Sequence, residues 1–230
     1  MSLRHISKDY SNGGKIVRVL NSVSLEIFKN EFLVILGESG SGKSTLLNII
    51  GCMIRPTEGT ILVDGKDFSH PSEDEMTEYR RSSIGFVFQA YNLMPTLTAL
   101  ENIRFITETS DNPMKEEEAL AMVGLSDRAD HFPSALSGGE QQRVAIARAI
   151  AKSPRMILAD EPTAALDADT GREVLAILQK AVKERGTTLI MVTHNAEIAR
   201  MANRVIHVRN GRIADVHMNP IPLQASELSW

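Results

Sequence analysis

Cysteine, aromatic residues and long apolar runs are all scarce in this sequence of 230 residues. The single cysteine, Cys52, excludes an internal disulfide and favours a reducing compartment. No stretch reaches the ~20 apolar residues that a membrane-spanning helix needs, and residues 1–5 lack the apolar segment of a signal peptide. A formal net charge of −4 gives no basic surface and argues against nucleic acid as a partner. We therefore expect a chain that reaches a membrane only through another protein.

The rest of the composition is that of a globular protein, with 43% apolar residues. Short apolar runs predict strands in the first third, helical spacing dominates from about residue 92 to 151, and strands return afterwards. We therefore expect a core with a helical lobe inserted into it. The predicted strands are 15–28, 32–36, 60–63, 84–88, 155–159, 188–192 and the hairpin 205–216; the predicted helices are 43–50, 98–106, 115–123, 140–152 and 170–184; residues 217–230 are predicted to form an extended tail.

A glycine-rich loop separates the predicted strand 32–36 from the predicted helix 43–50. Its sequence, Gly37 to Ser44, fits the pattern G-x-x-x-x-G-K-[ST]. Glycines allow successive backbone N–H groups to face phosphate oxygens, and the helix N-terminus adds its dipole. We expect Lys43 to neutralise the β- and γ-phosphates and Ser44 to ligate Mg²⁺. The alternative, a glycine-rich turn without a ligand, is the less favoured interpretation.

Two acidic residues end the predicted strand 155–159. Open α/β sheets place ligand-binding groups at the carboxyl ends of their strands. We expect Asp160 to hold the Mg²⁺ shell, and Glu161 to act as general base or to position the water that attacks the γ-phosphate. Alone, such a pair is more often a solvated turn, but the phosphate loop supplies a reason for these charges.

A second glycine pair occurs in the sequence Leu136 to Arg143. Ser137 followed three residues later by Glu140 is a capping box that starts a helix. This structural interpretation does not exclude a second one, since an exposed helix N-terminus with Gly138 and Gly139 is also an anion site.

In chain order, the phosphate loop, the sequence Leu136 to Arg143 and the acidic pair Asp160-Glu161 together resemble the nucleotide-binding subunit of an ATP-binding cassette (ABC) transporter. The resemblance runs from about Tyr10 to about Gly211. It implies an α/β fold: a P-loop NTPase core, with a mixed sheet flanked by helices, an antiparallel β subdomain and an inserted α-helical subdomain. On this basis the catalytic core with its β subdomain takes in residues 1–91 and 152–216, the helical signature subdomain 92–151, and the tail 217–230.

The resemblance also implies roles for single residues. Gln89 aligns with the glutamine that senses Mg²⁺ and the attacking water, His194 with the switch histidine, and Tyr10 with the aromatic residue that stacks on adenine. The predicted catalytic residues are Glu161, His194, Gln89 and Lys43; the metal ligands are Ser44, Gln89 and Asp160; the nucleotide-binding residues are Tyr10, Gly37, Ser39, Gly40, Ser41, Gly42, Lys43, Ser44, Thr45, Ser137, Gly138, Gly139 and Asp167.

Partners follow from the same resemblance. In this family the signature element reaches the γ-phosphate of the opposite subunit, which implies two ATP molecules in a head-to-tail dimer of this chain. Asp167 matches the loop that communicates across that dimer, although Ala164 stands where Ser or Gly is commoner. The helical lobe and the apolar segment 91–97 would dock on an integral membrane permease, placing the chain on the cytoplasmic face of the membrane. An ordinary apolar loop is the alternative for that segment.

Several functions share these residues. Glu140 in place of the commoner Gln, with the pairs Asn92-Leu93 and Glu101-Asn102, looks like the macrolide-efflux and lipoprotein-release subgroup. A mechanotransmission ATPase of the cell-division type would have identical catalytic residues. A soluble ABC ATPase acting on DNA or ribosomes is less favoured, because there is no heptad run and only one cassette. A nucleotide-sensing module without catalysis conflicts with the intact set of catalytic residues. The transported substrate and its direction are not specified by these residues.

Overall fold

The computed structural model describes residues 1–229, which form two sheets and seven α-helices. The strands are β1 (Ser2–Asn12), β2 (Lys15–Glu26), β3 (Phe32–Leu36), β4 (Glu58–Val63), β5 (Lys66–Asp67), β6 (Ile84–Val87), β7 (Met156–Asp160), β8 (Thr188–Thr193), β9 (Arg204–Arg209) and β10 (Arg212–Met218). The helices are α1 (Lys43–Ile50), α2 (Glu73–Ser83), α3 (Ala99–Thr107), α4 (Glu116–Met122), α5 (Gly138–Ala151), α6 (Ala168–Arg185) and α7 (Ala196–Ala199).

The central sheet has six strands in the order β10-β9-β3-β8-β7-β6. Every neighbouring pair is parallel except the β9–β10 hairpin. All six residues of β8 are buried, as expected for a strand covered on both faces. Because parallel strands end at the same edge, the segments that follow β3, β6, β7 and β8 meet there. The predicted mixed sheet flanked by helices is confirmed.

A second sheet is antiparallel, with the order β2-β1-β4-β5. Helix α1 lies between the two sheets and buries Leu46, Leu47, Ile49 and Ile50 in a cluster that both sheets share. This burial fixes the start of α1, and therefore the phosphate loop, against the central sheet. The predicted antiparallel β subdomain is confirmed.

Helices α3, α4 and α5 form a lobe beside the central sheet. Its apolar residues belong to one continuous cluster with the sheet, in which Ile103 and Val144 join Ile157 and Leu189. The lobe therefore has no separate core, and α5 is held from several sides. The exact boundaries at residues 91/92 and 151/152 stay predictions.

Strand β1 and helices α2 and α7 were not predicted from the sequence. Helix α2 buries only Met76, so it shows almost no apolar spacing. The tail is not simply extended: β10 continues to Met218, and a 3-10 turn at Ala225–Glu227 buries Ala225 and Leu228 against the main core. The apolar residues of the tail are irregularly spaced and therefore show no helix or strand pattern, although Ala225 and Leu228 are buried. No helix among residues 1–229 is long and apolar enough to cross a membrane.

Candidate active site

The phosphate loop connects β3 to α1 and is held by its own lysine. Lys43 is buried, and its Nζ donates hydrogen bonds to the carbonyls of Gly37 (2.8 Å) and Glu38 (2.9 Å). Gly42 has a left-handed φ of 104°, and a Cβ there would lie 2.9 Å from the Val19 carbonyl oxygen. Only glycine fits this position without strain.

Helix α1 starts without a side-chain cap, because Gly42 has no side chain to accept from its first N–H groups. Ser41 is also buried, and its Oγ has no partner among the described residues. Unpaired donors at a helix N-terminus are suited to phosphate oxygens. The loop therefore fits the triphosphate that the sequence predicted for it.

This loop forms one wall of a cavity of about 780 Å³. The other walls come from the segments after β6, β7 and β8, as the sheet topology requires. The cavity brings together these predicted site residues: Ser39, Gly40, Gly42, Lys43, Ser44, Thr45, Gln89, Asp160, Glu161 and His194. Val19, Glu38 and Ala164 also line it and were not predicted as site residues.

A hydroxyl and a carboxylate meet on the floor of this cavity. Ser44 Oγ donates to Asp160 Oδ1 over 3.1 Å. Burial raises the pKa of the Asp160 carboxyl and the charge of Glu161 adds to the increase, while the Ser44 hydrogen bond opposes it. A cation beside Asp160 would relieve this unfavourable charge. Both side chains offer the oxygen ligands that Mg²⁺ prefers, so the pair fits this ion.

The protein alone would not complete such a metal shell. Within residues 1–229 no group of three or more His, Cys, Asp or Glu side chains is placed to hold a metal. Mg²⁺ characteristically uses one or two protein ligands together with waters and substrate phosphates. The Ser44–Asp160 pair therefore fits a metal that arrives with the nucleotide.

Glu161 is held by the last residue of β8, Thr193, and by the residue that follows it, His194. His194 Nδ1 lies 2.9 Å from Glu161 Oε1, and Thr193 Oγ1 donates to Oε2 over 3.3 Å. The Glu161 backbone has a left-handed φ of 48°, which is unusual for a residue with a side chain. Sequence reasoning identified Glu161 and His194 but missed Thr193, whose contact no motif reveals.

The remaining predicted residues lie outside this cavity. Gly37 and Ser41 belong to the same loop but line an adjacent cavity. Tyr10 lies on β1 opposite Val17, is 41% exposed, and has Lys8 Nζ 5.3 Å from its ring centroid. Its stacking on adenine stays a prediction.

The signature residues start α5, on the helical lobe. Ser137 Oγ accepts from the Glu140 N–H (3.2 Å), and Glu140 Oε2 accepts from the Ser137 N–H (2.8 Å), so the predicted capping box is confirmed. A Cβ at Gly139 would lie 2.2 Å from Thr170 Cγ2 of α6, so glycine allows these two helices to approach. Asp167 caps α6 by accepting from the Thr170 N–H.

A sequence profile of the ABC transporter family matches residues 20–164. The chain belongs to the ABC transporter ATPases. This cassette is 47% identical over 221 residues to an uncharacterized ABC transporter ATP-binding protein of Thermotoga maritima, with 94% of each chain covered. It is 45% identical over 236 residues to the macrolide export ATP-binding/permease protein MacB of Brucella melitensis, covering 98% of this chain but 36% of that protein. The cassette thus spans about a third of MacB.

Solved structures agree with the fold. The dimeric, post-hydrolysis structure of the ATP-binding cassette MJ0796 bound to ADP and Pi superposes with a TM-score of 0.88 and 43% identity, covering 96% of this chain and 99% of that one. The uncharacterized ABC transporter ATP-binding protein MJ0796 of Methanocaldococcus jannaschii is 45% identical over 222 residues. Like its family, the cassette is an ATPase.

Proposed function

We propose that this cassette is the ATP-hydrolysing subunit of a membrane export or release complex of the macrolide-efflux and lipoprotein-release type. The observation that carries the proposal is the single cavity in which the phosphate loop, the Ser44–Asp160 pair and the Glu161–His194 pair meet. The similarity to MacB supports the export or release type.

The residues of the cavity divide the chemistry of hydrolysis. Lys43 exchanges its two loop carbonyls for phosphate oxygens, and the first N–H groups of α1 bind the same phosphates. Ser44, Asp160 and Gln89 would hold Mg²⁺, which would supply positive charge to the phosphates. Glu161 accepts the proton of the water that attacks the γ-phosphorus, while the bond from that phosphorus to the leaving ADP oxygen breaks. His194 keeps the Glu161 carboxylate in place.

The position of the signature loop supports a dimer. Ser137, Gly138 and Gly139 do not line the cavity of their own chain. In a head-to-tail pair, each signature loop would complete the ATP site of the other copy, with Tyr10 beside the adenine. The dimeric state of the solved MJ0796 cassette supports this arrangement.

The helical lobe supports docking on a permease. Met94, Phe105 and Phe132 are 40%, 51% and 47% exposed although they are large and apolar. The segment that contains Met94 starts with left-handed Tyr91 and Asn92, whose carbonyls accept from the Arg148 guanidinium of α5. We expect permease helices to contact this surface, which places the cassette at the cytoplasmic face of the membrane.

The test is co-purification with a variant that holds ATP. Tagged Glu161→Gln cassette is expressed in its host, membranes are solubilised with ATP present, and bound proteins are identified by mass spectrometry. A permease in equal amount is expected, and its architecture distinguishes export from mechanotransmission. A Phe105→Asp change in the same background is the matched control and is expected to lose the permease. Recovery of ribosomes, DNA or no partner would contradict the proposal.

A further inference from the structure

A buried glutamine, Gln142, connects helix α5, which starts at the signature residues, to the catalytic turn, the turn that contains Glu161 and Pro162. Gln142 lies in the second turn of α5 and is fully buried. Its Nε2 donates to the carbonyl oxygen of Pro162 over 2.8 Å. Pro162 is the residue directly after Glu161. One side chain therefore connects the helix that starts at the signature loop with the backbone that carries the proposed general base.

The backbone at Glu161 needs such support. Its φ of 48° is left-handed, and the following proline further restricts the residue before it. An unfavourable conformation of this kind persists only where surrounding contacts hold it. On one side the Glu161 N–H donates to the Val192 carbonyl of β8 over 3.0 Å. On the other side Gln142 holds the next carbonyl, so the turn is fixed between β8 and α5.

The choice of glutamine is unfavourable for stability alone. While Nε2 bonds to Pro162, the buried Oε1 of Gln142 has no partner among the described residues. A buried acceptor without a partner destabilises a fold. A fully buried polar residue that is only half satisfied calls for an explanation other than stability.

We propose that Gln142 is a positioning residue that aims the Glu161 carboxylate and makes that aim depend on the position of α5. The inference rests on the proposed role of Glu161 as general base. Because α5 starts at the signature loop, engagement of that loop by the nucleotide of a second copy adjusts the catalytic turn of its own chain. Gln142 thus couples the two ATP sites.

The test compares two buried glutamines. Gln179 of α6 is also buried and its Nε2 donates to the Leu223 carbonyl over 2.8 Å, but it lies at the tail, away from the site. Gln142→Met removes this one bond, whereas Gln179→Met also removes a longer hydrogen bond from the Ala225 N–H to Gln179 Oε1 (3.4 Å), so Gln179→Met is expected to lower the melting temperature at least as much as Gln142→Met. Only Gln142→Met is expected to lower kcat, by ~10- to ~100-fold, with the KM for ATP unchanged.

A second measurement separates positioning from assembly. Adding Gln142→Met to the Glu161→Gln variant is expected to leave ATP-driven dimer formation, measured by size-exclusion chromatography, at the level of Glu161→Gln alone. A loss of the dimer would overturn the inference, because Gln142 would then be needed for assembly.

If Gln142→Met does not fold, Gln142→Glu decides the question. A buried glutamic acid titrates above its ordinary pKa and donates to the Pro162 carbonyl only while protonated. Its kcat relative to wild type is expected to rise as the pH is lowered from ~8 to ~6, whereas Gln179→Glu is expected to follow the wild-type profile. A flat ratio would overturn the inference.

The outcomes for the proposed function and the inference are distinct. Near-normal hydrolysis by Glu161→Gln would refute the general base itself. An inactive Glu161→Gln together with a Gln142→Met that matches Gln179→Met in kcat would refute only the positioning role.

Discussion

Helices α1 and α5 both present an N-terminus to a proposed phosphate, but they start differently. Helix α1 follows left-handed Gly42, has no side-chain cap and no acidic residue in its first turn. Helix α5 follows Ser137 and satisfies its own donors through the capping box with Glu140. The first N-terminus thus has free donors, whereas the second is already partly satisfied and carries a negative charge.

This difference in free donors predicts which of the two N-termini binds a phosphate first. Free N–H groups together with Lys43 make the phosphate loop the stronger anion site. The signature loop has fewer donors left and is expected to add affinity only when a second copy presents a bound nucleotide. We therefore expect each chain to bind ATP first and to dimerise afterwards.

Loss of the proposed general base, Glu161, is expected to lower kcat more strongly than any other single change. Glu161→Gln removes the proton acceptor and keeps the shape, so kcat is expected to fall ~100- to ~10,000-fold. ATP binding at α1 stays intact, and the variant is expected to accumulate as an ATP-bound dimer in size-exclusion chromatography. Turnover near the wild-type rate would contradict the assignment.

The next prediction tests whether one ATP site is formed by the phosphate loop of one chain and the signature loop of the other. Ser137→Arg blocks the signature loop and Lys43→Ala disables the phosphate loop, so each variant alone is expected to be inactive. A 1:1 mixture is expected to recover about one quarter of wild-type activity, since half of the dimers are mixed and each has one intact site. The ATPase rate against mixing ratio is the measurement. If Ser137→Arg alone were fully active, the signature loop would have no role in the site.

The next prediction concerns the stability of the nucleotide-free protein, which the charge of Asp160 is expected to lower. Burial raises the pKa of its carboxyl, so ionised Asp160 destabilises the nucleotide-free fold above that pKa, and the penalty disappears below the ordinary value of 3.8. Asp160→Asn is therefore expected to raise the melting temperature by a few degrees at pH 7.5 while abolishing hydrolysis. The gain is expected to shrink as the pH falls.

The control for this prediction is Asp130→Asn, because Asp130 is exposed. Its melting temperature is expected to equal that of the wild type at each pH of the series. A stability loss in Asp160→Asn would show that its Ser44 contact outweighs the burial of its charge.

Removal of the Glu140 charge at the start of α5 is expected to change stability only slightly. Glu140 is paired with Arg128 Nε over 3.0 Å, and its hydrogen bonds to Ser137, with Arg128, lower its pKa to about 2. Its contribution is therefore complete at neutral pH and is lost only between pH 4.5 and about 2. Glu140→Gln keeps a capping box and loses a partly exposed ion pair, so stability should change by less than ~1 kcal/mol.

The Glu140→Gln variant also tests whether the charge at the start of α5 affects dimer formation. Without the Glu140 charge, dimer formation is expected at an ATP concentration a few-fold lower, measured by light scattering. Glu101→Gln, which keeps the capping box of α3 away from the site, is the matched control. Equal ATP dependence in both variants would show that the charge of α5 is irrelevant to dimerisation.

The sequence was most informative where a chemical motif coincides with apolar spacing. The strand before Gly37, the helix after it and the capping box at Ser137 could all be predicted because local residues determine them. Helix α2 has no periodic apolar face, so its only local signal was the capping box of Ser72 and Glu75. The described part of the tail, in which only Ala225 and Leu228 are buried, has no periodic pattern either. The contact of Gln142 with Pro162 joins residues 20 positions apart and depends on how α5 packs, which no local pattern contains.

The clasp of Arg148 on the Tyr91 and Asn92 carbonyls has a mechanical consequence. It fixes the segment that we propose to face a permease to the C-terminal half of α5, while Ser137 and Gln142 lie at the N-terminal end. The 14 residues of α5 form a rod of about 21 Å, and burial along most of its length prevents it from turning alone. If a permease docks as proposed, a displacement of that segment would move the signature loop and the Glu161 turn together.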